Sequence, residues 1–436
     1  MTLSVITAIA DPRWEADLVA GLAVADGVTV VRRCVDVADL LATASAGIAG
    51  GVIVSADLRR LDRDVVTRLD LLGIAVVGMS PPGDAVAEQT LRRLGVAHVV
   101  GADAPLDEVI ERLRGAVDGI GTTQPAPARP AEPAATSDGD GDGDEGRVIA
   151  VWGPTGAPGR TTIAIGLAAE LAAAGHDVVL VDADVYGGTI APALGIVDDG
   201  AGFASACRLA NAGRLDGPAL GALARALNTR LRVLTGIARA DRWDEVRPSA
   251  AAAVLALART IAAYVVVDCG FCLEEDEELS YDTVAPRRNG ATVTALRGAD
   301  TVVAVGSADP VGLQRFVRGL AELGETVPDV EPTVVVNRVR PRVAGPGDPV
   351  RQITEALREF AEVTPHAFVP LDQPAADKAL MLGATMPEVA PASPARLAIA
   401  ELAERLRGTS GRDVPSMAAP RRGWRRRVRG AAVRPP

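Results

Sequence analysis

Short runs of apolar, mostly β-branched residues recur along this chain, separated by Ala- and Leu-rich stretches. Five runs lie at residues 3–10, 27–34, 50–57, 73–80 and 96–103, and seven more at 148–152, 178–182, 231–234, 264–268, 301–305, 333–336 and 367–369. A strand with one wet face alternates apolar and polar residues; a strand apolar throughout is buried on both faces. Such strands, joined by helices, pack as a parallel sheet with helices on either side. The chain therefore reads as α/β, with two doubly wound parallel-sheet domains.

The domains expected are residues 1–118 and 147–407. Between them, residues 119–146 are Pro-, Ala-, Gly- and Asp-rich and cannot bury enough apolar surface to order. The run "DGDGDGDE" suggests calcium, but an EF-hand loop starting at Asp138 would need Glu where Ile149 stands, so a solvated linker is expected. Residues 408–436 form a basic, disordered tail, with seven Arg and Trp424 between Arg421 and Pro436.

The most chemical stretch is "VWGPTGAPGRTT", Val151 to Thr162, which joins an apolar strand to an Ala-rich helix. Backbone N–H groups and the positive end of a helix dipole converge there, as phosphate binding requires. Gly156 and Gly159 permit close backbone approach, and Thr161 stands where a hydroxyl would ligate Mg²⁺. The helix is expected to stop at Gly175, suited to a left-handed cap. Against the pattern G-x-x-x-x-G-K-[ST], Pro154 holds the first Gly position and Arg160 the Lys position. Lys378 is the only Lys in the chain, so Arg160 is consistent with a general Arg-for-Lys bias. Further along, "VVLVDADVYGG" ends a strand with Asp182 and Asp184, "YVVVDCG" with Asp268, "PTVVVNRVR" with Asn337, and "AFVPLDQP" carries Pro370, Leu371 and Asp372. In a parallel sheet the carboxyl ends of the strands share one edge, where ligands bind.

These motifs, in this order, resemble the deviant Walker A ATPases of the MinD and ParA group over residues 147–405. The resemblance implies ATP and Mg²⁺ as ligands. It makes Gly156, Gly159, Arg160, Thr161 and Thr162 phosphate-binding, with Asn337, Pro370 and Asp372 at the base. Thr161, Asp182 and Asp268 would serve the metal, Asp182 through its hydration shell, and Asp184 would be catalytic, positioning water. It also implies a homodimer formed with ATP and released by hydrolysis. The family's signature Lys, which reaches the partner's phosphates, is Thr155 here. Arg160 keeps the charge in a bulkier planar fork, and Pro158 removes a backbone donor. A nonenzymatic scaffold with a degenerate loop is therefore an alternative.

Residues 1–118 resemble a response-regulator receiver domain in outline. Asp11 alone follows the first strand closely, Ser55, Ala56 and Asp57 end the third, and no Lys ends the fifth, so a pseudo-receiver that is not phosphorylated is expected. A receiver ahead of such an ATPase resembles the CpaE/TadZ branch, which implies placement of pilus machinery. It also resembles actinobacterial MinD-like septum-site-determining proteins, which implies cell division. Both remain open. A ParA-type DNA-partitioning role is a further alternative, disfavoured by a net charge of −11 and by the lack of basic patches outside the tail. The tail suits anionic lipid or nucleic acid equally.

No apolar run approaches the ~18 residues of a membrane span, and the start lacks a basic, signal-like region. Four cysteines form no framework, so a cytoplasmic protein is expected, touching the inner membrane face through its tail. Cys269 and Cys272 form a C-x-x-C without two further zinc ligands at suitable spacing, so no function is expected of them. "LEEDEELSYD", 273–282, reads as a solvated acidic loop, with a partner-binding switch as the alternative. His98, His176 and His366 are isolated, and core or surface positions are expected for them.

Overall fold

A computed structural model describes residues 2–119, 145–156, 158–197, 200–274, 287–328 and 330–408. Most of the expected linker, the acidic run after Glu274 and nearly all of the basic tail lie outside the described residues.

The first sheet contains β1 Leu3–Ala8, β2 Val28–Arg33, β3 Gly51–Ser55, β4 Ala75–Ser80 and β5 His98–Gly101. Its order is β2-β1-β3-β4-β5, parallel throughout. The second contains β6 Arg147–Trp152, β7 Val178–Ala183, β8 Arg225–Ala226, β9 Leu231–Leu234, β10 Tyr264–Cys269, β11 Thr301–Ser307, β12 Thr333–Val339 and β13 Ala367–Pro370. Its order is β13-β12-β11-β6-β10-β7-β9-β8. The α/β expectation holds, with one correction: β8 pairs antiparallel to β9, so the second sheet is mixed. Arg225 and Ala226 are both exposed, and a two-residue edge strand without apolar side chains leaves no period to read.

Burial on both faces is visible residue by residue. Along β6, Val148, Ala150 and Trp152 face one core, while Ile149 and Val151 face the other. The first core is roofed by the helices Gly202–Asn211, Pro248–Ile261 and Pro310–Thr326, the second by Arg160–Ala173 and Pro394–Gly408. Few aromatics are available, so Val fills most strand positions of these cores and Ala and Leu much of the helix faces. Arg396 holds the buried Glu170 with two bonds, at 2.6 and 2.7 Å, tying the loop helix to the helix Pro394–Gly408. The loop helix ends at Ala173, and Gly175 follows with φ +96°, the left-handed stop expected.

The two sheets meet through the helix Arg63–Leu71. Its capping Asp62 accepts a hydrogen bond from Asn211 Nδ2 at 3.1 Å, and Asp64 is bonded by both Arg247 and Ser249. Among the described residues no helix is long and apolar enough to cross a membrane.

Candidate functional site

The parallel strands β6, β7, β10, β12 and β13 bring their carboxyl ends to one edge. β6 leads into the loop, and the helix Arg160–Ala173 leaves it from Gly159, whose φ is +98°. Many other helices here are capped by an Asp side chain, such as Asp62, Asp216, Asp309 and Asp372. Gly159 makes no side-chain cap, so the first N–H groups of the loop helix keep their dipole for a ligand. A side chain at Gly159 would collide with Asn337 Nδ2, and one at Gly156, φ +105°, with the Arg315 guanidinium.

The register of β7 and β10 sets Asp182 beside Asp268. Both are buried. Thr161 Oγ1 donates to Asp268 Oδ2 at 2.6 Å, while Asp268 Oδ1 is buried without a hydrogen-bond partner. Burial pushes the Asp268 carboxyl up to about 7, aided by the Asp184 charge and opposed by Thr161 and Arg160. Asp182 is raised too, by burial first and then by Asp268 and Asp184. Its oxygens accept from the N–H groups of Asp184 and Ile190, at 3.3 and 3.1 Å, so it also braces the turn after β7.

Arg160 folds back over the loop. Its Nη1 donates to the carbonyls of Gly153 and Pro154, at 3.1 and 3.3 Å, and its Nη2 to Asp184 Oδ2 at 3.2 Å. Both partners of this ion pair are about nine-tenths buried. The other oxygen of Asp184 accepts from the N–H groups of Tyr186 and Gly187. The cation at the Lys position is thus already matched by a carboxylate of the same edge.

Beside the loop runs a groove of about 350 Å³, whose lining includes Gly159, Thr162, Asn337, Arg338, Pro370 and Asp372. Asn337 Nδ2 donates to the Pro158 carbonyl at 2.8 Å, pinning the loop to β12. Asp372 caps the helix Gln373–Leu382 and accepts from Ser393 Oγ at 2.7 Å. The residues singled out in the sequence therefore gather in two adjoining places: Arg160, Thr161, Asp182, Asp184 and Asp268 at the strand ends, and Thr162, Asn337, Pro370 and Asp372 along the groove, with Gly159 between them.

Residues 149–369, about half of the chain, match the CobQ/CobB/MinD/ParA nucleotide binding domain, CbiA. The chain belongs to this family. Among solved structures, this CbiA chain is similar to a ParA family ATPase from Chlorobium tepidum TLS, at 19% identity and TM-score 0.47, covering 59% of this chain and 98% of that one. It is similar to the septum site-determining protein MinD complexed with Mg-ADP from Pyrococcus horikoshii OT3, at 17% identity and TM-score 0.48, covering 61% and 97%. It is also similar to the signal receiver domain of the response regulator NarL from Mycobacterium tuberculosis, at 18% identity and TM-score 0.25, covering 27% and 98%. No curated protein matches the chain.

The donors fit the ligands a nucleotide-binding family implies. Mg²⁺ is commonly held by one or two carboxylates together with phosphates and waters, and Thr161 with Asp268 offers that set. Among the described residues no cluster of three or more His, Cys, Asp or Glu could hold a metal alone, so the phosphates would have to complete the shell. Cys269 is buried and its thiol is pushed up by that burial, whereas Cys272 Sγ takes an N–H from Asn289. His366 Nδ1 accepts from the Val334 N–H, and His176 packs edge-on against Tyr264, both away from the strand ends.

Arg315 and Arg338 were not legible as site residues. Arg338 follows Asn337 directly, with φ +60°, and that adjacency is the one signal that could have marked it. Arg315 lies on a helix far along the chain from the loop, and no motif there announces it.

Proposed function

We propose that the second domain binds Mg²⁺-ATP at this edge, and that ATP switches the chain into a homodimer that places a division septum or a pilus assembly. One observation carries the reading: an uncapped helix N-terminus stands beside a buried carboxylate oxygen without a partner. Helix N–H groups favour an anion, and a buried carboxylate favours a cation. A phosphate paired with Mg²⁺ satisfies both together.

In this reading Gly156, Gly159, Arg160, Thr161 and Thr162 hold the phosphates, and the groove at Asn337, Pro370 and Asp372 takes the base. Thr161 and Asp268 would hold Mg²⁺, with Asp182 behind them. Bound Mg²⁺ would supply charge neutralisation at the terminal phosphates. Asp184 orients the attacking water once Arg160 turns from it towards the phosphates. Residues 1–118 form a pseudo-receiver, 119–146 a linker, 147–407 the switch, and 408–436 a tail offered to an anionic membrane. The setting is cytoplasmic, and a net charge of −11 speaks against DNA as the principal ligand.

The Arg160–Asp184 pair favours a second reading, in which nucleotide is bound without turnover and the domain is a nonenzymatic scaffold. Calorimetry with Mg²⁺-ATP on the parent and Arg160→Ala, with phosphate release and sedimentation velocity on the same samples, tests both. Binding that weakens in the variant, with a nucleotide-dependent dimer, supports the switch; phosphate release separates enzyme from scaffold. No binding to the parent removes the ATP reading.

A further inference from the structure

Arg315 sits on the exposed flank of the helix Pro310–Thr326, which follows β11, the neighbour of β6. The next residue, Phe316, is fully buried and packs so closely on Gly306 that a side chain there would collide with its ring. The helix is therefore fixed against the sheet where Arg315 leaves it. The Arg315 guanidinium lies over Gly156, near enough that any side chain at Gly156 would meet Nη1. Among the described residues Arg315 has neither an ion pair nor a hydrogen bond, whereas Arg160 is matched by Asp184.

The two ends of the loop differ. Gly159 and Thr162 line the groove, and Gly156 does not, so Gly156 marks the end away from the groove. A chain of phosphates entering from the groove and lying along the helix N-terminus puts its last member towards Gly156. That end has Thr155 instead of a cation, and the loop lacks the N–H of Pro158. A terminal phosphate there would meet one unpaired cation, Arg315, whose planar fork can hold two phosphate oxygens.

We infer that Arg315 is a terminal-phosphate ligand, so that the site selects a nucleoside triphosphate over a diphosphate through a residue outside the loop. This inference rests on the nucleotide reading above. It is tested by calorimetry with Mg²⁺ and either ADP or the non-hydrolysable triphosphate AMP-PNP, on the full chain, Arg315→Ala and Arg315→Lys. A lost charge-assisted contact should weaken triphosphate binding by about tenfold or more in Arg315→Ala, leave ADP within about twofold, and be partly restored in Arg315→Lys. The unchanged ADP affinity shows that the variant still folds its site. An equal loss for both nucleotides, or no loss for the triphosphate, overturns the inference and leaves the nucleotide reading standing. Absence of binding of either nucleotide to the parent overturns both.

Discussion

The two sheets share one construction and use their carboxyl edges differently. At the edge of the first, polar groups satisfy one another. Ser55 Oγ accepts the Ala10 N–H at 2.9 Å, Thr7 donates to Glu15 at 2.8 Å, and Arg33 pairs with Glu15 at 2.6 Å. At the edge of the second, three acids meet, two of them with raised pKa values, and one buried oxygen lacks a partner. A buried polar group without a partner costs stability, and raised carboxylate pKa values cluster at functional sites, so the two together mark this edge as the candidate. The fold supplies the edge; the unmatched carboxylate makes it the candidate site.

If that contrast is right, removing an unmatched charge from the second edge stabilises the ligand-free protein, whereas removing a matched group from either edge costs stability. The largest effect is expected for Asp268→Asn in the ligand-free protein. Burial lifts the folded pKa to about 7, above the unfolded value of ~3.9, so between those values the folded state binds more protons. Stability then falls as pH rises through that window, and the cost is complete above it. The variant should be more stable than the parent at pH 8, by up to about 4 kcal/mol, with the gain vanishing by about pH 4. Thermal midpoints across pH measure this, and a variant less stable at pH 8 would remove the idea of stored charge.

Next comes Arg160→Ala, which leaves Asp184 buried without its cation and should cost about 3 kcal/mol without ligand. Arg160→Ala with Asp184→Asn should recover much of that loss, and urea midpoints of both variants would show whether it does. At the first edge, Ser55→Ala removes the bond to the N–H of the exposed Ala10 and should cost about 1 kcal/mol, again read from the urea midpoint. The smallest change is expected for Glu15→Gln. Its ion pair is with a half-exposed Arg33, and the bond from Thr7 survives, so the thermal midpoint should move by no more than about 1 kcal/mol corresponds to. A gain at the first edge matching that of Asp268→Asn would erase the difference between the two.

Much of this was legible because it is local. Strands apolar on both faces announce a sheet covered on both sides, and each of the twelve expected runs overlaps a strand of the structure, with the bounds differing by one to three residues at most ends. β8 was missed because an exposed pair of residues has no pattern. The candidate site was legible where it consists of strand ends, since parallel pairing must bring Asp182, Asp268, Asn337 and Pro370 to one edge. Its side-chain arrangement was not legible. Whether Arg160 reaches outward or turns back to Asp184 depends on the distance from the loop to the turn after β7, with β10 between them.

The sequence by itself determined the α/β class, the order of most elements and the chemical types available at the second edge, because apolar period and strand-end residues are properties of short segments. Only the tertiary structure decided which charges are matched. It paired Arg160 with Asp184, left one Asp268 oxygen without a partner and laid Arg315 over Gly156. Those outcomes depend on separations of a few ångströms between segments far apart in the chain, and no local pattern encodes them.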